Sequence, residues 1–232
     1  MIKLTVGDNH KCEIPDEWNE LTITQYSKVI SFINEGTLPA ITTPRTDEQE
    51  ESWGKEQRLL NVKCNRRIFN YLTGLDMGIV NKINLDQMES MISIVTKLLS
   101  TKTEYVMKSN GERDSFKFKG KTYYFPYANM ERTSFGDYIE AEQVAVANDK
   151  IQDNRFGAFA EQMAILCKED GVENTEDIIK KKTRLFADLP MDIAWRFVFF
   201  LSKQTQKLKN SSQSYLKAVT GTQIDTLQKI GI

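Results

Sequence analysis

The chain has 232 residues, 40% of them hydrophobic and 27% charged, with 31 Lys plus Arg against 32 Asp plus Glu. That is ordinary globular composition, and the length suffices for one large domain or two small ones that each bury a core. The balanced charge excludes a global field that would draw the chain to nucleic acid or an anionic membrane, while leaving room for a local basic patch.

The longest apolar run, Ile193 to Leu201, is broken by Arg196 and falls far short of the roughly 20 residues of a membrane span. Met1 to Gly7 hold no apolar run of signal-peptide length, so a soluble, non-secreted protein is expected. Cys12, Cys64 and Cys167 form no Cys-x-x-Cys pair, and their spacing predicts free buried thiols in a reducing compartment rather than a zinc site.

Taken in order, Ile2, Leu4 and Val6 alternate with Lys3 and Thr5. Gly7 to His10 then supply turn chemistry and Lys11 to Ile14 return, which predicts a hairpin with one buried face. Pro15 ends the strand, because its fixed φ and missing N–H do not suit a ladder. Thr22 with Gln25 forms a capping-box pattern, and Ile23, Tyr26, Val29, Ile30 and Ile33 recur at helical spacing as far as Gly36.

Thr37 to Ser52 hold Pro39, Pro44 and the cluster Asp47, Glu48, Glu50 and Glu51, which predicts a surface loop or arm leading into an acidic first helical turn. Carboxylates there complement the helix dipole, and they lack the ligand spacing of a calcium loop. Leu59, Leu60, Cys64, Ile68, Phe69, Tyr71 and Leu72 mark a helix that Gly74 can stop. A Gly-rich turn through Gly78 follows, then a helix capped by Asn84 with Leu85, Met88, Met91, Ile92, Val95, Leu98 and Leu99 as its apolar face.

From about Ser109 the chain starts again. Phe116 to Lys121 and Thr122 to Phe125 alternate around a Gly-containing turn and give the clearest hairpin. Lys117, Lys119 and Lys121 beside Phe116, Phe118, Tyr123 and Tyr124 could form a nucleic-acid platform. One buried face and one solvated face whose lysines discourage edge pairing is the simpler account. Phe135, Tyr138, Ile139 and Ala145 predict a helix, Phe156 to Leu166 another, and Asp177 to Phe186 a more basic third. Leu189-Pro190 then opens Met191 to Leu201, which has almost no polar face and is expected to be buried on all sides, in its own core or against another chain. Within it Arg196 is expected either to pair with a carboxylate or to reach solvent.

Ile14, Pro15, Glu20 and Thr22 fall on Phe125, Pro126, Glu131 and Thr133 at one offset of 111 residues, each set following a hairpin and preceding a helix. An internal duplication is one reading and coincidence the other. The expected fold is α+β and mostly helical, with two similar units of a β-hairpin plus about three helices, residues 1–108 and 109–209, and a C-terminal arm over 210–232.

Catalytic patterns are missing. There is no Gly-x-Gly-x-x-Gly, phosphate-binding loop, His-Glu-x-x-His or Gly-x-Ser-x-Gly, and the single histidine, His10, falls in the first turn. No catalytic, cofactor-binding or metal-ligating residue is nominated, no cofactor is expected, and the chain is not expected to be an enzyme.

Ile14 to Tyr26 reads Ile-Pro-x-x-Trp-x-Glu-Leu-Thr-x-x-Gln-Tyr, and Leu189 to Phe200 reads Leu-Pro-x-x-x-Ala-x-x-Phe-x-Phe-Phe. With the first hairpin, these segments resemble small virion or assembly proteins of tailed bacteriophages, nearest those that build stacked rings in the head–tail region of crAss-like podoviruses. The resemblance is loose over most of the chain. It implies a structural subunit of a head–tail connector or tail ring, made in the host cytoplasm and located in the virion. Its implied partners are portal, ring or tail subunits and further copies of itself, without membrane or direct nucleic-acid binding. Trp195, Phe199, Phe200, Tyr215 and Leu216 are the candidate interface residues, with the termini and the Thr37 to Ser52 loop reaching neighbours. A tail-assembly chaperone absent from the finished particle is the alternative, and a host-cytoplasm enzyme or nucleic-acid binder the second.

Overall fold

A computed structural model describes residues 1–7, 9–38, 46–101, 115–126, 133–150, 156–199 and 201. The fold is α+β and mostly helical, with two small antiparallel sheets. In the first, β1 (Ile2–Val6) pairs with β2 (His10–Ile14), Ile2 opposite Ile14 and Val6 opposite His10. Alternation buries Val6, Cys12 and Ile14 and leaves Lys3, Thr5, Lys11 and Glu13 exposed. His10, expected in the turn, is the exposed first residue of β2.

In the second sheet β3 (Ser115–Phe118) and β4 (Lys121–Tyr124) are joined by Lys119 and Gly120 at φ of 45° and 82°. Two positive φ values in a two-residue loop match the twist of the strands on either side. A third strand, β5 (Lys168–Glu169), pairs with β4 and sets Tyr123 opposite Glu169. Two residues leave no periodic signal, so the sequence did not announce it.

Helix α1 (Ile23–Glu35) opens as expected, with Thr22 Oγ1 accepting from Gln25 N and Gln25 Oε1 from Thr22 N. Helix α2 (Asp47–Thr73) begins earlier than the apolar pattern suggested. Thr46 and Gln49 form a second capping box, so the helix starts inside the stretch expected to be loop as far as Ser52, and Asp47, Glu48 and Glu50 make its expected acidic first turn. Residues 39–45 of the expected loop lie outside the described residues. Gly74, at φ 68°, closes α2 with its N–H on Asn70 O. The expected turn at Gly78 is instead one helical turn, α3 (Met77–Val80), because the Asp76 carboxylate accepts from Gly78 N. Asn84 caps α4 (Leu85–Ser100) as expected.

The second half carries α5 (Phe135–Lys150), α6 (Phe159–Leu166), α7 (Glu176–Phe186) and α8 over residues 191–199. Hairpin followed by helix does recur, and Ile14-Pro15 and Phe125-Pro126 are buried alike. The cap of α5 is nevertheless Ser134 and not Thr133. Its Oγ accepts from Asp137 N, and Asp137 Oδ2 accepts from Ser134 N. That shifts the match by one residue, the first sheet has no third strand among the described residues, and Glu131 lies outside them. The likeness of the halves is therefore one of element order.

Two apolar cores form. One gathers Val6, Cys12 and Ile14 of the first hairpin with Val29 and Phe32 of α1, Cys64, Ile68 and Phe69 of α2, and Met88, Met91 and Val95 of α4. The other centres on α6, where Met163 to Leu166 are all buried, and takes in Phe116, Tyr123, Phe186 and Phe197. Trp18, Leu21, Ile23 and Tyr26 join this second core, although the sequence places them in the first unit. Helix α1 thus runs through both cores, and Leu72 and Leu99 pack against each.

Candidate functional site

The two motifs that carried the resemblance meet in space. After Ile14, the Glu20 carboxylate accepts from Asp16 N at 3.1 Å and Glu17 N at 3.4 Å, folding the chain into a 3-10 turn over Trp18–Glu20. This delivers Leu21 to Thr24 to the loop ahead of α8. There Ile23 N donates to Leu189 O, Thr24 N and Oγ1 both donate to Ala187 O, and Met191 N returns a bond to Leu21 O at 2.8 Å. The first N–H groups of a helix have no partner within it. Each of these two helices finds acceptors in the segment leading into the other, so the N-termini of α1 and α8 cap one another.

Over this junction lies an aromatic cluster. The Trp195 ring packs edge-on to Trp18 at 5.5 Å and Tyr26 at 5.6 Å, and Phe156 meets Tyr26 at 4.8 Å and Phe159 at 5.3 Å. Edge-to-face pairs at these separations add to simple burial. Neither indole N–H has an acceptor among the described residues, so ring packing holds the cluster. Trp195, proposed from sequence as an interface residue, is therefore half-buried inside the chain. Helix α8 is not buried all round: Met191, Ala194 and Phe197 form the inner stripe, whereas Phe199 is 37% exposed. Phe200, Tyr215 and Leu216 lie outside the described residues. Arg196 donates to Ser115 O at 3.4 Å with its guanidinium over the Phe125 ring, and its charge also acts on the Asp192 carboxylate one turn earlier in the helix.

The Lys-aromatic hairpin has the expected two faces. Phe116 and Tyr123 stack at 5.4 Å inside the core, while Lys117, Lys119 and Lys121 stay exposed. Lys119 pairs with Asp188 at 3.1 Å and Lys121 with Glu169 at 2.9 Å. Two of the four rings, Phe116 and Tyr123, are thus turned into the core, and two of the three lysines have acidic neighbours.

A buried lysine went unnoticed in the sequence. Lys182, 5% exposed, donates from Nζ to Cys167 O at 2.6 Å and Asn174 Oδ1 at 3.0 Å. Asn174 Nδ2 in turn donates to Ile165 O at 2.7 Å. The two side chains so satisfy carbonyls at and just past the end of α6, where the negative pole of a helix favours a cation. Burial pushes Lys182 down to about 8 and the neighbouring Cys167 thiol up to about 12. Asp137 is raised by burial, but Lys168 at 2.8 Å and the Ser134 N–H outweigh this and hold it below the usual range. These shifts mark helix-end chemistry. Cys12, Cys64 and Cys167 are free and buried, as expected.

Two helices keep apolar surface, which includes Leu59, Phe135 and Ile139 of the spacing that marked them as helical. On α5, Phe135 is 80%, Val146 51% and Ile139 38% exposed; on α2, Leu59 is 55% and Val62 52% exposed. A cavity of about 120 Å³ between α1, α2 and α4 is lined by Ile33, Ile68, Phe69, Met91 and Val95, and holds no titratable group. Among the described residues no set of three His, Cys, Asp or Glu is placed to hold a metal, and no helix is long and apolar enough to cross a membrane. Comparison of the chain with protein-family models, curated proteins and solved structures gave no match in any of the three.

Proposed function

We propose that the chain is a structural subunit of a bacteriophage head–tail connector or tail ring, working through protein–protein contacts rather than catalysis. The observation that carries this reading is the apolar surface on α2 and α5, two helices anchored by their other faces in different cores. Fully burying a side chain such as Phe or Leu is worth about 1.5–3 kcal/mol, so surface of this kind favours association. The mutual capping of α1 and α8 supports it further, since it ties the halves into a body able to transmit force.

Mass spectrometry of purified phage particles from the source of the sequence tests the proposal, with copy number measured against the portal protein. Peptides at the portal's copy number or a simple fraction of it are expected, because rings close with fixed symmetry. Absence from the particle, with co-purification of a long tail protein from infected cells, overturns it in favour of an assembly chaperone.

A further inference from the structure

Helices α2 and α4 face each other across a void. On α2, Asn65, Ile68 and Phe69 share one face at helical spacing, and on α4 Met91, Ile92, Val95, Thr96 and Leu99 do the same. Ile33 of α1 closes the third side, and the space left between them is about 120 Å³. Protein interiors are packed as tightly as organic crystals, and voids larger than a water molecule are few. Asn65, Ile92 and Thr96 also line a shallow recess between α2 and α4, so they frame the opening of the cavity. The remaining wall is apolar throughout. Neither the Asn65 amide nor the Thr96 hydroxyl makes a hydrogen bond among the described residues. Glu89 and Lys97 border the recess but not the cavity.

Each of these features narrows the occupant. Pockets for drug-sized ligands run to about 300–1,000 Å³, so nucleotides, oligosaccharides and long acyl chains are too large. An apolar cavity of about 150 Å³ takes one benzene ring. Water gains little in the inner part, because it needs about two to four polar partners and the wall there offers none. No charged side chain lines the cavity, so the occupant is neutral. The Phe69 ring and the Met91 thioether both favour an aromatic neighbour over an aliphatic one. Asn65 and Thr96 can each donate and accept, which suits a single hydroxyl at the opening. We propose that the cavity between α1, α2 and α4 is a binding site for a small neutral phenol, its ring against Phe69 and Met91 and its hydroxyl between Asn65 and Thr96. The site takes a free small molecule and does not depend on the assembly reading above. Its occupant fills the junction of three helices of the first core and stabilises the folded chain by mass action.

The test is calorimetric titration of the full chain with phenol, benzene, cyclohexanol and benzoate, alongside melting curves and methyl NMR. Phenol is expected to bind one-to-one with a dissociation constant on the order of 1 mM or tighter, and to raise the melting temperature by about 2–5 °C at about ten times that concentration. Benzene, which lacks the hydroxyl, and cyclohexanol, which lacks the flat ring, are expected to bind about fivefold more weakly, and the charged benzoate not at all. Ring-current shifts should fall on the methyls of Ile68, Val95 and Leu99, which locates the site without any substitution. Asn65→Leu with Thr96→Val changes one half-buried and one exposed position and removes the polar opening, so benzene should then bind at least as well as phenol. Ile92→Trp should close the opening and abolish binding while the circular dichroism spectrum is kept. Absence of saturable phenol binding to the folded wild type overturns the proposal, as do methyl shifts confined to another part of the molecule or wild-type affinity in a folded Ile92→Trp chain. Benzene, cyclohexanol or benzoate binding as tightly as phenol, or a phenol preference that survives the double variant, overturns the assignment of the ligand.

Discussion

Replacing Lys182 by Met, in a Cys167→Ala background, measures the buried cation at the end of α6 directly. Burial lowers the Lys182 amine from its ordinary 10.5 to about 8. Between those values the unfolded chain still holds a proton that the folded chain has released. Stability of the Lys182 protein therefore rises with pH across this window. It is lost again as pH falls through 8, where both states are charged. At about 1.4 kcal/mol for each pH unit, the full swing is about 3 kcal/mol. Met does not titrate, so the difference between the two proteins isolates the effect. The Cys167→Ala background is needed because that thiol, pushed up to about 12 by burial, acts with opposite sign over an overlapping range and interacts with Lys182. At neutral pH the Met variant leaves Cys167 O and Asn174 Oδ1 without this donor, a cost of about 1–3 kcal/mol set against removal of the buried charge. Urea unfolding from about pH 7 to 10 reads the difference. It should be flat below about pH 8 and then move in favour of Lys182. A flat difference throughout, or movement toward Met, refutes the argument.

Phe197→Ala, at a position with no exposure, should cost about 3–5 kcal/mol in urea unfolding, while Phe199→Ala on the outer side of α8 should cost under about 1 kcal/mol. Ser134→Ala should remove about 1 kcal/mol by deleting the cap of α5; a larger loss from Thr133→Ala would restore the constant-offset alignment of the two halves. Gly36→Ala should lower the melting temperature, because the new Cβ would lie 2.8 Å from Cys64 Cβ, an overpacking cost of about 1–3 kcal/mol. Cys64→Ala should fail to rescue it, since that change keeps the offending Cβ.

Much of the secondary structure was legible locally. The capping box at Thr22, the cap at Asn84 and the alternation around Gly120 each depend on groups a few residues apart, and the structure uses all of them. The acidic first helical turn expected after the loop is present at Asp47, Glu48 and Glu50, while the end of the loop, placed at Ser52 from composition, is set at Thr46 by its capping box with Gln49. Strand β5 is too short to show a period, and the cap at Ser134 lies one residue from an equally plausible Thr133.

The sequence by itself determined where most helices and hairpins form, since caps, breakers and side-chain period act over neighbouring residues. Tertiary structure decided which of the marked residues reach a core and which stay outside. Phe135 and Leu59 carry the same helical spacing as core residues yet lie outside, whereas Lys182 lies inside because carbonyls at the end of α6 converge on it. Ile14 to Tyr26 and Leu189 to Phe199 are far apart in the chain, and only folding could let the helix each opens draw its first acceptors from the other.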